Sequence, residues 1–341
     1  MDNLLRQRQK QFRATGLVLF EAAMGLLIAR IIANVISPYM DERTLDLVFT
    51  ILMQVVFLVI APFFTYKLVL GKSVKDTLTF SNIRKPNWKI MLLCIPLGMC
   101  VIMATVGVSL IWQSILIMFG YIPSSSPTDF PENFMIGMLL MDLFLTAVLP
   151  GLCEEFTNRG GFLTTMRGSF GQAQTIILCG IAFGLFHQNV TQVFYTSLFG
   201  MLMATLTIKT KSIWPAALVH FMNNGLSVYS DYAMHYNLPF GNIMNWAEGI
   251  LIDHFGLASA IYMVVVACGV FIFWLILSIA KKDNDKKREL LQSEAGEGES
   301  AVLPLEDKVL YKPVASDWAF YIGALVVTCI TTLCTFYWGI L

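Results

Sequence analysis

Apolar runs long enough to cross a membrane recur along the chain, each closed by a polar stretch. Nine can be marked, at about 15–36, 46–66, 89–112, 134–157, 174–188, 191–208, 213–230, 258–280 and 318–340. A bilayer core takes about 20 residues of helix. The pattern therefore predicts an all-α protein, a polytopic transmembrane bundle of about nine helices. The fifth run is the short one, and no internal repeat is visible. The interruptions predict four regions: N-terminal transmembrane helices over 1–130, a central core over 131–230, an outer loop and eighth helix over 231–282, and a linker with the last transmembrane helix over 283–341. The linker carries mixed charge with Gly296, Gly298, Pro304 and Pro313, and reads as flexible. The outer loop 231–257 has no Lys or Arg, and its Pro239 and Trp246 predict a place at the membrane interface.

Composition narrows the class. The 341 residues are 56% hydrophobic and 13% charged, where a soluble domain carries about 25% charged residues. With a mean hydropathy of +0.67, this excludes a typical soluble enzyme and a disordered chain. Lys and Arg balance Asp and Glu at 23 each, so no nucleic-acid partner is expected. The seven cysteines show no CxxC or Cys/His spacing and read as small apolar packing residues. Arg6, Arg8, Lys10 and Arg13 precede the first run as in a signal peptide, but the run exceeds a typical h-region and predicts a retained helix.

Loop charge sets an orientation. Alternate connections hold 21 of the 23 Lys and Arg; Arg43 falls on the other side and Arg30 within the first helix. Such alternation predicts a cytoplasmic N-terminus and an external C-terminus, in a bacterial style of plasma-membrane protein.

Ionisable groups inside membrane spans are costly and mark function. Three clusters qualify: Glu154-Glu155-Phe156-Thr157-Asn158-Arg159 (EExxxR), Phe183 to His187 (FxxxH) and His220 to Asn224 (HxxxN). Glu155 and Arg159 are i,i+4 neighbours able to pair, with Glu154 turned about 100° away. His220 and Asn224 share a face, and Phe183 lies one turn from His187 to pack its ring. The turn near Gly168–Gly171 follows Glu154 by about 16 residues and precedes His187 by about 17, so both lie roughly 25 Å along antiparallel helices. His220 and Asn224 reach the same level if that hairpin protrudes into the cytoplasm. Two further buried charges, Arg30 and Asp142, are placed where they could pair across helices, the alternative being that Arg30 snorkels to the interface, and Glu21 has no evident partner.

The ordered set EExxxR, FxxxH and HxxxN over about 134–230 resembles the CAAX protease and bacteriocin-processing family of intramembrane proteases. The resemblance implies a CAAX-protease-like core and a peptidase that acts on a peptide or membrane-protein substrate within the lipid bilayer. It implies Glu154 as general base on a water, aided by His187, with His220 and Asn224 stabilising the oxyanion and Glu155 and Arg159 holding the site. Phe183 supports it structurally. The residue before the arginine is usually aromatic in that family and is Asn158 here, which bears on packing at the substrate side. No cofactor is favoured; the alternative is zinc on Glu154, His187 and His220, although no HExxH pair occurs. Outside proteolysis, the rivals are a non-proteolytic immunity protein or a proton-relaying transporter.

Overall fold

The computed structural model describes residues 2–71, 82–122, 130–241, 254–294 and 311–340. Among them there is no strand, and nine helical rods follow the nine apolar runs. These are α1 (Asp2–Ile36), α2 (Arg43–Leu70), α3 (Trp88–Met118), α4 (Ile136–Arg167), α5 (Gln172–Phe186), α6 (Val190–Thr210), α7 (Trp214–Tyr236), α8 (Phe255–Glu294) and α9 (Ala319–Ile340). Seven of the nine are long and apolar enough to cross a membrane. The exceptions are α5, with 15 residues, and α7, which carries the polar HxxxN motif. Large apolar side chains such as Leu68, Ile111, Met118 and Val264 stand on the outer surface, as lipid-facing residues do, so the chain is an integral multi-pass membrane protein.

The core lies on both sides of α5 and α6. One cluster joins Cys94 and Leu97 of α3, Phe183 of α5, Phe199 and Met203 of α6, Val219 of α7 and Ile276 of α8. A second joins Phe12 and Leu19 of α1, Leu163 of α4, Cys179 of α5, Ala204 of α6 and Tyr321 of α9. The α5–α6 crossing is close because small residues meet there. A Cβ on Gly180 would lie 2.6 Å from the Ser197 carbonyl oxygen, and one on Gly200 would lie 3.0 Å from the Gly180 Cα. Gly180 and Gly184 are spaced four apart, the small-xxx-small pattern by which membrane helices approach.

Two boundary expectations change. The polar residues 283–294 do not form a loop, because α8 continues through them to Glu294. Residues 311–317 are also ordered, docked against α1 and the α4–α5 turn. Gly296, Gly298 and Pro304 of the expected flexible linker, and Trp246 of the outer loop, lie outside the described residues.

The docked segment forms a clasp around Asp317, whose side chain is fully buried. Its carboxylate accepts from Arg13 Nε at 2.7 Å, Gln9 Nε2 at 3.0 Å, the Val314 amide at 2.9 Å and the Tyr311 hydroxyl. Burial, with that last bond, pushes the Tyr311 phenol up to about 12, so it stays a donor. The Tyr311 amide donates to the Gly168 carbonyl in the α4–α5 turn at 3.2 Å. Phe12, Trp318 and Tyr321 stack around the clasp, with ring centroids 4.7 Å apart for Phe12–Tyr321 and 5.2 Å for Phe12–Trp318. Asp317→Ala orphans several donors at once. It is expected to destabilise the protein by about 1.5–3 kcal/mol, the range for a hydrogen bond to a charged group, seen as a lower Tm. An unchanged Tm would mean that the clasp contributes no net stability.

Candidate active site

Helix α4 carries the EExxxR residues on a rod that is not uniformly α-helical. Its turns loosen to π-helical geometry at Phe144–Val148 and again at Phe156–Phe162, directly after Glu155. Asn158 supplies a local cause. Its side chain is buried and its Nδ2 donates back to the Glu154 carbonyl at 2.9 Å, a side-chain insertion into the helical ladder of the kind that opens it. Asn158 therefore braces the backbone of Glu154 from inside the protein. Arg159, which the sequence reading counted among loop charges, is buried within the same rod.

Glu155 and Arg159 form a fully buried ion pair at 3.1 Å. The same carboxylate oxygen, Oε1, accepts from His220 Nδ1 on α7 at 3.0 Å. Arg159 also donates to the Gly200 carbonyl of α6 at 3.4 Å and lays its guanidinium 4.3 Å over the Phe183 ring. Phe183 meets His187 edge-on at 5.0 Å and His220 edge-on at 5.8 Å. One phenyl ring thus spaces the arginine and both histidines. Phe199 closes the other side of His220 at 5.3 Å.

The two histidines are held differently. His187 Nδ1 lies 2.9 Å from the Phe183 carbonyl. A carbonyl only accepts, so Nδ1 carries the proton and the neutral ring presents Nε2 as a lone pair. His220 Nδ1 faces the Glu155 carboxylate, which accepts its N–H and orients the ring. His187 interacts electrostatically with Glu154, His220 and Arg159, so the four groups share one locality.

Helix lengths explain the shared depth. Glu154 is about 20 Å from the end of α4 and His187 about 22 Å from the start of α5, at 1.5 Å per residue. His220 is only about 9 Å along α7, yet it touches Glu155, so the α4–α5 hairpin projects about 10 Å beyond the α6–α7 turn. At about 22 Å, α5 is shorter than a bilayer core of about 30 Å. Its end, and the turn 187–189, then sit at membrane depth, where open backbone must be satisfied by protein. Arg30 of α1 does this. Its guanidinium donates to the carbonyls of His187 and Gln188, each at 3.2 Å. Gln188, buried with φ +46°, donates to the Ala23 carbonyl at 3.2 Å. The expected Arg30–Asp142 pair is not formed, because each has another partner: Asp142 accepts from the Tyr232 hydroxyl at 2.5 Å. Glu21 accepts from Thr65 at 3.0 Å.

Asn224 lies beside this group on α7. Its Nδ2 donates to the Thr146 carbonyl in the first loosened turn of α4 at 2.9 Å, and its Oδ1 accepts from Asn223 at 3.1 Å. The amide is thereby fixed with one N–H uncommitted to these partners. Glu154 is half-buried and accepts from Gln54 Nε2 on α2 at 2.9 Å. The sequence reading missed Gln54, Arg30's role, Phe199 and Thr146. Only Gln54 left a signal, as the lone amide in the second apolar run. Among the described residues no group of three or more His, Cys, Asp or Glu side chains is gathered to hold a metal ion.

No curated protein and no solved structure matches the chain. Residues 136–226, from the start of α4 through most of α7, match the family of type II CAAX prenyl endopeptidases described as Rce1-like. That stretch holds all three polar motifs and the contacts among Glu155, Arg159, Phe183, His187 and His220. Over this stretch of about ninety residues the membrane protein is thus similar to the Rce1-like type II CAAX prenyl endopeptidases.

Proposed function

We propose that the chain is an intramembrane endopeptidase that hydrolyses a peptide bond near the membrane surface with a water activated by Glu154. The observation that carries this reading is the opposed anchoring of the two histidines around Phe183: one Nδ1 on a carbonyl, the other on the Glu155 carboxylate. That arrangement offers an acceptor at His187 and a carboxylate-anchored donor at His220, the two functions that acyl transfer needs beside a base.

In the reaction, Glu154 takes a proton from water, helped by the Nε2 lone pair of His187. The water oxygen adds to the scissile carbonyl carbon, and the C=O π pair moves onto oxygen. His220 Nε2–H and the remaining Asn224 Nδ2–H donate to that oxyanion. As the C=O bond reforms the C–N bond breaks, and the proton held by Glu154 passes to the leaving amine. The products are an amine and a carboxylic acid. Glu155 and Arg159 stay charged throughout and hold His220.

The substrate is a peptide or membrane-protein tail that reaches the site from the lipid bilayer. The loop charges support a cytoplasmic N-terminus and an external C-terminus. The reaction is read as metal-independent, since the chemistry needs only a base and oxyanion donors.

Asn224→Ala tests the reading with purified protein in liposomes and a membrane-anchored peptide substrate. As an oxyanion donor Asn224 makes its best bond in the transition state. Its loss is expected to lower kcat about 10²–10³-fold and leave KM nearly unchanged, with no change in bound metal. Stoichiometric zinc in the wild type, lost in the variant and restoring activity on addition, would overturn the metal-free mechanism. A wild type that cleaves neither prenylated CAAX peptides nor unmodified membrane-protein tails would overturn the protease reading.

A further inference from the structure

Helix α2 lies outside the segment that matches the family, yet it reaches the proposed base. It runs parallel to α4 and is locked in register by two bonds: Gln54 Nε2 to Glu154 Oε1 at 2.9 Å, and the Thr157 hydroxyl to the Leu58 carbonyl. Leu58 and Cys153 share a buried cluster between them. Gln54 itself sits in the π-helical turn Leu52–Ile60.

The other end of this amide is unusual. Gln54 Oε1 is buried and has no hydrogen-bond partner in the protein. A buried amide oxygen without a partner costs free energy on the order of 1–3 kcal/mol, so such an atom is expected to meet a donor that comes and goes. Its own Nε2 is tied to Glu154, so Oε1, on the same amide carbon, lies close to that carboxylate. The donors available there during hydrolysis are the O–H bonds of the attacking water.

We propose that Gln54 is the positioning residue for Glu154 and its water. Nε2–H occupies Glu154 Oε1 and leaves Oε2 for one water O–H, while Gln54 Oε1 accepts the second. With both hydrogens held on one side, a water lone pair faces the scissile carbon. The first proton then moves to Glu154 as the new C–O bond forms. The second stays on the new hydroxyl and keeps its bond to Gln54, and Glu154 later delivers its proton to the leaving nitrogen. Among the described residues, the titratable groups that interact with Glu154 are Cys153 on α4 and His187 on α5, beside its chain neighbour Glu155; from α2 the neutral Gln54 amide reaches it. The inference rests on the protease reading for its chemistry, but the Gln54–Glu154 contact can be judged apart from it.

The test uses full-length protein in liposomes and two variants. Gln54→Met keeps the volume and removes both amide ends. It is expected to lower kcat about 10²-fold, the low end for a mispositioned base, with KM within about twofold and an unchanged Tm. Gln54→Glu puts a second carboxyl against Glu154, so the two share a proton, and it is expected to fall further than Gln54→Met. The infrared carboxylate band that disappears in Glu154→Gln is expected to shift in Gln54→Met whether or not a substrate is cleaved. A folded Gln54→Met with kcat within threefold of wild type overturns the proposal. So does a kcat loss that only tracks a lower Tm and recovers on cooling. If no substrate is cleaved by wild type, an unmoved carboxylate band overturns the contact, and a shifted one upholds it while the protease reading fails.

Discussion

Glu154→Ala is expected to lower peptide cleavage about 10³-fold or more, within the range that a positioned general base supplies, while the protein stays folded in the membrane. The two halves of this result have separate causes. Glu154 is the group that takes and returns the proton, so no neighbour replaces it in the reaction. Its described side-chain partner is the neutral Gln54, so truncation strands no buried charge. His187→Ala and His220→Ala are expected to behave alike in activity, because each removes a different group from the same acyl-transfer step. The measurement is steady-state cleavage beside a thermal melt on the same preparation. Near-normal turnover by any one of the three would remove that residue from the mechanism.

Glu155→Gln is expected to act first on stability. Glu155 and Arg159 are both fully buried, and removing one member of such a pair typically costs about 3–5 kcal/mol because the other charge is left uncompensated. The same change takes away the carboxylate on His220, so activity falls as well. The double variant Glu155→Gln/Arg159→Met separates the two effects. With no charge left to strand, much of the stability is expected to return, while His220 still lacks its anchor and cleavage stays low. If Glu155→Gln and Arg159→Met alone each melt like wild type, the pair is not the buried brace described above. If the double variant regains activity, His220 does not depend on Glu155.

How far the sequence could be read follows from what each signal measures. Runs of apolar residues report burial along one strand of chain, and all nine runs became helices. Spacing within one helix reports which side chains share a face, so the Glu155–Arg159 pair and the Phe183–His187 contact were legible. Partners on different helices depend on rotations that no single-helix pattern encodes. For that reason Arg30 was matched with the wrong group: a carboxylate was the evident complement of its charge, whereas the tertiary fold offers two open carbonyls at the end of a short helix. The loosened turns of α4 escaped for a related reason. They depend on Asn158 bonding back to Glu154 and on what surrounds it, while Gly160 and Gly161 alone only permit a departure from α-helical geometry. The polar end of α8 reads as a linker by composition, yet Asn284 donates to the Lys209 carbonyl at 2.9 Å, a docking that composition does not carry.

Considered in time rather than in space, the clasp at Asp317 is a late event. Arg13 and Asp317 are 304 positions apart, and a growing chain emerges from its N-terminal side at about 5–20 residues per second. Arg13 therefore precedes its partner by about 15–60 s at that pace. In that interval the helices bearing Glu154, His187 and His220 have all been made, and the turn at Gly168 that joins two of them still lacks its bond from Tyr311. Synthesis order thus leaves the Arg13–Asp317 and Tyr311–Gly168 contacts until last, after every residue of the polar cluster and the bonds from Gln11, Thr15 and Asn82 to the end of α4 are available.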